Sequence, residues 1–213
     1  KYFHQALDEG LPLAAVHLAY AYLTGSGVEK DAAAALSLYS QAADAGVAAA
    51  YVGLGHMYEF GEGVAADSET ALQWYEKGAA AEDPDALNRL VAFYLRRKGN
   101  EARSEALKWS RKAALMGGAR AYNDYAWLLA TSKFDGLRNG TLALDQATRA
   151  VELEPRAPFL DTLAAAYAEL GDFELAITTQ RQAIASITDE DGEIRDELEE
   201  RLQYYERSEP WRE

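Results

Sequence analysis

The sequence predicts an all-α fold, a curved solenoid of stacked antiparallel helix pairs, and three observations carry that prediction. Whole segments recur at a shift of 36 residues. Within each copy, small and apolar residues return at three- and four-residue steps in two blocks, and a glycine-bearing loop joins the blocks. A helical hairpin of this kind cannot bury its apolar stripe alone, so the copies must stack on one another.

Taken in order, residues 1–10 read as the second helix of a repeat whose first helix is missing, because Phe3, Ala6 and Gly10 fall 36 positions before Tyr39, Ala42 and Gly46. With no initiator methionine, the chain is expected to be a fragment of a longer protein. Residues 14–49 and 50–85 are the two most regular copies. Tyr22, Gly25, Gly27 and Val28 map onto Tyr58, Gly61, Gly63 and Val64, and Leu18, Asp31, Leu36 and Tyr39 onto Leu54, Asp67, Leu72 and Tyr75. Residues 86–118 form a third copy with a degraded loop, residues 119–156 a divergent fourth with a longer loop around Thr131–Gly136, and residues 157–187 a fifth.

Punctuation agrees with period. Asp31, Asp67 and Asp83 stand where side-chain caps open helices, and Gly46 and Gly117 where a left-handed residue closes them. Ala19, Gly55, Ala126 and Ala164 are expected at close helix contacts, with Tyr22, Tyr58, Tyr94, Leu129 and Tyr167 filling the spaces between. A last helix over 189–207, capped by Thr188 or Asp189, should place Ile194, Leu198, Leu202 and Tyr205 on one stripe and acids on the other face. A polar capping helix is the favoured reading of it; an acidic docking tail is the alternative.

Copies one to three resemble Sel-one-like repeats, whose tyrosine, G-x-G-V loop and A-x-x-W/Y-Y-x-x-A-A second helix stand here as Tyr58, Gly61–Val64 and Ala71–Ala79. The fifth copy is similar to a tetratricopeptide repeat through Leu160, Leu163, Ala164, Tyr167, Gly171, Asp172, Phe173, Ala176 and Ala183. It departs from that pattern at Gln180, where an aromatic is usual. The resemblance implies a right-handed superhelix in which the first helices of successive hairpins line a concave groove for a peptide, helix or domain. Counting two residues either side of the core anchors places Val16, Val52, Asn88, Asn123 and Asp161 in one column and Tyr20, His56, Ala92, Trp127 and Ala165 in another. From these the expected partner-binding residues are Tyr20, His56, Asn88, Asn123, Trp127 and Asp161, with Arg96 added as a cation for acidic partner groups. Trp127 could instead pack on the long loop at Phe134, the asparagines could brace neighbouring helices, and Arg96 could simply be solvated.

Charge and composition narrow the function. A formal net charge of −14, with 11 acidic and 4 basic side chains inside residues 189–213, disfavours a nucleic-acid partner. None of the three histidines is paired at helical spacing in a way that suggests a metal site, and there are no cysteines, so neither a metal nor a cofactor is expected. The G-x-G loops lack the lysine, third glycine and preceding strand of a phosphate cradle, and no G-x-S-x-G elbow occurs. A non-catalytic interaction scaffold therefore follows, with a regulatory or substrate-binding module of a larger enzyme, secretion or envelope assembly machine as the alternative. The partner is expected to be a protein or peptide, with no direct membrane insertion, and the chain monomeric or self-stacking through its first half-repeat. A bacterial periplasm is favoured over a cytoplasm.

Overall fold

The computed structural model describes residues 11–187 and 192–213. The half-repeat expected at 1–10 and the cap expected at Thr188 or Asp189 lie outside these. Among the described residues all regular structure is helical, and the chain divides into two compact units, the first ending at Phe93 and the second spanning Tyr94–Glu213.

The first unit holds α1 (Pro12–Thr24), α2 (Ala32–Asp44), α3 (Ala48–Phe60), α4 (Ser68–Ala80) and most of α5 (Pro84–Leu95). The predicted aspartate caps are in place. Asp31 accepts from the Ala34 amide at 2.9 Å, Asp67 from those of Glu69 and Thr70, and Asp83 from that of Ala86 at 2.9 Å. Each bond satisfies an amide that the first turn leaves without an intrahelical partner. Gly61 ends α3 with φ 72°, a left-handed backbone that reverses the chain into the loop.

Close packing in this unit depends on small residues facing large rings. A Cβ on Gly55 would lie 2.4 Å from the Tyr75 ring, and one on Gly53 would lie equally near the Tyr39 ring. Tyr39 and Tyr75 are therefore sunk to 4% and 0% exposure. Tyr22 and Tyr58 are half-buried, Tyr22 packing against the core that Tyr39 forms with Ala15, Ala19, Ala50, Leu54 and Met57.

The second unit comprises α6 (Asn100–Met116), α7 (Ala119–Thr131), a 3-10 turn at Asp135–Leu137, α8 (Gly140–Leu153), α9 (Ala157–Glu169), α10 (Phe173–Ala185) and α11 (Gly192–Glu206). Helices α7 and α8 pack as a pair, α9 and α10 as the next, and α11 closes against α10. Asn139 caps α8 through the Leu142 amide, and Asp172 caps α10 through that of Leu175. On the closing helix Leu198 and Tyr205 are buried as the stripe predicts, whereas Ile194 is exposed. The buried stripe is thus shorter than expected and lies in the later turns of α11.

Candidate partner-binding surfaces

In the first unit, α1 and α3 bring Tyr20, Val52 and His56 to the wall of one recess of about 640 Å³. Tyr20 is 59% exposed, a large ring held at the surface by a helix whose other face is buried. The imidazole of His56 sits against Phe60, with ring centres 4.6 Å apart, and its Nδ1 lies 3.1 Å from Glu62 Oε2. Glu62 is the variable residue of the G-x-G loop, so the loop that reverses the chain also brings a carboxylate to the histidine. Burial pushes the Tyr39 phenol up to about 12, with smaller contributions from Tyr20 and Glu62, so a neutral hydroxyl lines the recess at physiological pH.

Sequence counting missed the charges at the rim. Lys30 from the first loop, and Asp85 and Arg89 from α5, also line the recess. Asn88, the expected α5 contributor, is half-buried instead, because Ala86, Leu87 and Leu90 fix the buried face of α5 and leave Arg89 exposed. A rim residue is found by asking which positions neighbour the core stripe at its edge, a question that the two-residue count does not put.

The second unit places the remaining expected residues differently. Arg96 is exposed just beyond the end of α5. Asn123 is half-buried on α7; its Nδ2 donates to Asp124 Oδ1 at 3.3 Å, and its Oδ1 is buried with no hydrogen-bond partner. Burial holds the Asp124 carboxyl above the usual carboxylate range, against the opposing pull of Asn123 and Arg120.

Asp161 and Trp127 call for correction as exposed groove positions. Asp161 is 5% exposed, and its Oδ1 accepts from Gln180 Nε2 at 2.8 Å and from Arg201 Nε at 2.9 Å. The acid is buried because α11 lies across it and supplies the countercharge. Burial still holds the carboxyl above its ordinary range, with Arg201 and Gln180 pulling the other way. Trp127 is half-buried on the α7, α8 and α9 core; its Nε1 donates to Glu213 Oε2 at 2.5 Å, and the Arg201 guanidinium lies 5.4 Å from its ring centre. Among the described residues no group of carboxylates and histidines is arranged to hold a metal ion, and no helix is long and apolar enough to cross a membrane.

The spacing of α1 to α6, with aspartate-capped second helices and glycine-closed first helices in the first two pairs, is that of a repeat family. The Sel1 repeat model matches residues 12–47, 48–83 and 85–118. This is a Sel1 repeat protein. Its repeats begin two residues earlier than self-superposition places the first two, which puts Pro12 and Ala48, the true starts of α1 and α3, inside the matched segments. The Sel1 repeat protein of Oxalobacter formigenes is similar at 25% identity over 90% of this chain and 80% of its own, with a TM-score of 0.68. The c5321 protein, a protective antigen present in uropathogenic Escherichia coli strains and displaying an SLR fold, is 28% identical over 97% of this chain, with a TM-score of 0.72; the chain spans 46% of that protein's length. YrrB, a TPR protein with an unusual peptide-binding site, shares the fold at 21% identity and a TM-score of 0.62, covering 94% of this chain and 98% of its own. No match is found among curated protein sequences. Sel1 and TPR repeats generally form protein-interaction modules.

Proposed function

We propose that this Sel1 repeat protein is a non-catalytic scaffold and that the recess of its first unit grips an extended peptide segment of a partner protein. The observation that supports this most is Tyr20, a largely exposed aromatic ring beside a braced imidazole, with Lys30 and Arg89 on the rim and Asp85 and Glu62 opposing them. Aromatic and arginine side chains supply most of the energy in protein interfaces when they are seated in a desolvated recess. His56 is packed against Phe60 before any partner arrives, so less side-chain entropy remains to be lost there on binding. Rim charges of both signs suit a backbone with mixed polar side chains, whereas a single-sign wall would suit a uniformly charged ligand.

The test compares affinity capture from native extract by the wild-type chain, by a Tyr20→Ala/His56→Ala/Arg89→Ala variant and by an Arg111→Ala/Arg149→Ala control in the second unit, all of equal helicity. A protein retained by the wild type and the control but lost from the triple variant is the expected result. Equal retention by all three would remove the first-unit recess from the interface.

A further inference from the structure

The segment that follows α11 is seated in the second unit with the contacts of a bound peptide. Ser208 takes φ 58°, the Glu209 amide donates to Tyr204 O, and the chain turns back. Trp211 then enters a cluster with Ala164, Ala168 and Tyr205, its ring edge-on to Tyr204 at 5.0 Å. Arg212 Nη2 donates to Glu169 Oε2 at 2.5 Å, and Nη1 donates to Ala130 O at 3.2 Å. Residue 213 donates its amide to Thr131 O at 2.8 Å and accepts from the Lys133 amide at 3.2 Å. Those two bonds, on either side of Ser132, are the pair that an added parallel strand makes. Its carboxylate takes the Trp127 indole N–H.

Part of the receiving side is held by bonds in which the segment takes no part. With Arg212 in place Glu169 is 13% exposed, and its other oxygen is held by Arg138 Nε at 3.0 Å. Arg138 in turn donates to Ser132 O at 2.8 Å, fixing the strip of backbone that pairs with residue 213. The Arg201 guanidinium lies within 6 Å of both indoles, 5.4 Å from Trp127 and 5.9 Å from Trp211. Each side chain of the segment therefore meets its chemical complement: ring to apolar slot, guanidinium to a held carboxylate, carboxylate to an indole N–H. A loose segment draped over a surface has no reason to satisfy main-chain and side-chain groups in one register.

We infer that the face formed by the end of α7, the long loop after it and the end of α9 is a receptor for an extended aromatic–arginine–acidic peptide, of which residues 211–213 are the resident occupant. A partner protein carrying the same three chemistries in the same order binds there by displacing them. This site lies in the second unit, and its assignment does not rest on the first-unit recess.

The experiment uses a fluorescein-labelled, N-acetylated and C-amidated Glu-Pro-Trp-Arg-Glu peptide, read by anisotropy against the full chain and a variant ending at Ser208, with circular dichroism establishing that both are folded. The shortened chain is expected to bind the peptide at least ~10-fold more tightly than the full chain does, the loss of self-competition. Replacing the peptide's arginine or its final glutamate by alanine, or introducing Glu169→Gln into the receptor, is expected to weaken binding ~10-fold, the scale of a charge-assisted hydrogen bond. A folded shortened chain that binds no better than the full chain, or that takes the alanine peptides equally well, overturns the inference. If the shortened chain unfolds, the full chain with Arg212→Ala and Glu213→Ala carries the test: peptide uptake above wild type supports the receptor, and uptake equal to wild type overturns it.

Discussion

Replacing Arg201 by methionine removes the countercharge of Asp161 while keeping the length of the side chain. Asp161 then remains 5% exposed with Gln180 as the hydrogen-bond donor to its Oδ1. Removing one partner of a buried ion pair generally costs ~3–5 kcal/mol, because the charge left behind is neither solvated nor neutralised. With its side chain 12% exposed, Arg201 admits a little water to the site, which places the expected loss near the lower end, about 3 kcal/mol. Asp161→Asn keeps an acceptor for both donors and leaves Arg201 its ion pair with Glu197 at 3.4 Å, so it is expected to cost less than Arg201→Met, about 1–3 kcal/mol, and the double variant should be more stable than Arg201→Met alone. Urea unfolding followed by circular dichroism measures all three. The pH dependence separates charge from packing. Burial already holds the Asp161 carboxyl above its ordinary range, and without Arg201 it rises further, so the folded variant binds a proton that the unfolded chain releases. Stability of Arg201→Met should therefore climb as pH falls from neutral toward the unfolded carboxylate pKa, relative to wild type. A loss under about 1 kcal/mol near neutral pH, or a pH profile parallel to wild type, would refute the claim that Arg201 neutralises a buried acid.

Tyr39 and Tyr75, both pushed up to about 12 by burial, predict alkaline unfolding of the first unit. The unfolded chain ionises near 10.0 while the folded one still holds its protons, so this stability is complete below that pH and is lost as pH rises toward 12, by about 2–3 kcal/mol per tyrosine. A Tyr39→Phe/Tyr75→Phe variant should unfold at higher pH than wild type, and an unchanged alkaline midpoint would contradict the assignment. Gly55→Ala places a methyl 2.4 Å from the Tyr75 ring, which the surrounding alanines leave no room to relieve. A loss of about 1–3 kcal/mol in thermal or urea unfolding is expected, and a neutral effect would show that the α3–α4 contact is looser than the packing indicates.

How much of this was legible in the sequence depended on whether a residue serves the period. Asp31, Asp67 and Gly61 act locally, on the turn they begin or end, so their position in the repeat identifies their role. Tyr20 and His56 were placed on one surface correctly because a four-residue step on a helix keeps a face and their repeats are regular. The two-residue count selects Asn88 and not Arg89, because a single residue decides which side of the stripe is exposed. The cover over Asp161 and the bond to Trp127 could not be read from spacing for a different reason. What covers them comes from α11 and the segment after it, 40 and 86 residues further on, and repeat spacing holds no information about a non-repeating partner.

The departures from the repeat pattern are nevertheless informative when read together. Gln180 stands where the pattern calls for an aromatic, and in the structure its Nε2 bonds both Asp161 Oδ1 and Leu198 O, joining α9 to α11 through α10. The longer loop after Thr131 supplies the Lys133 amide and Arg138, which receive residue 213 and Glu169. The acidic last helix carries Arg201 inward, and that residue meets Asp161, Trp127 and Trp211. Three local violations thus converge on one place in the second unit. Stacking requires each repeat to present similar surfaces to its neighbours, so a residue that abandons the pattern without loss of packing has acquired a partner outside it. By that reasoning the end of α7 and the end of α9 are specified for something the regular repeats do not hold, and the segment lying on them shows its chemistry: an aromatic ring, an arginine and an acid, in that order.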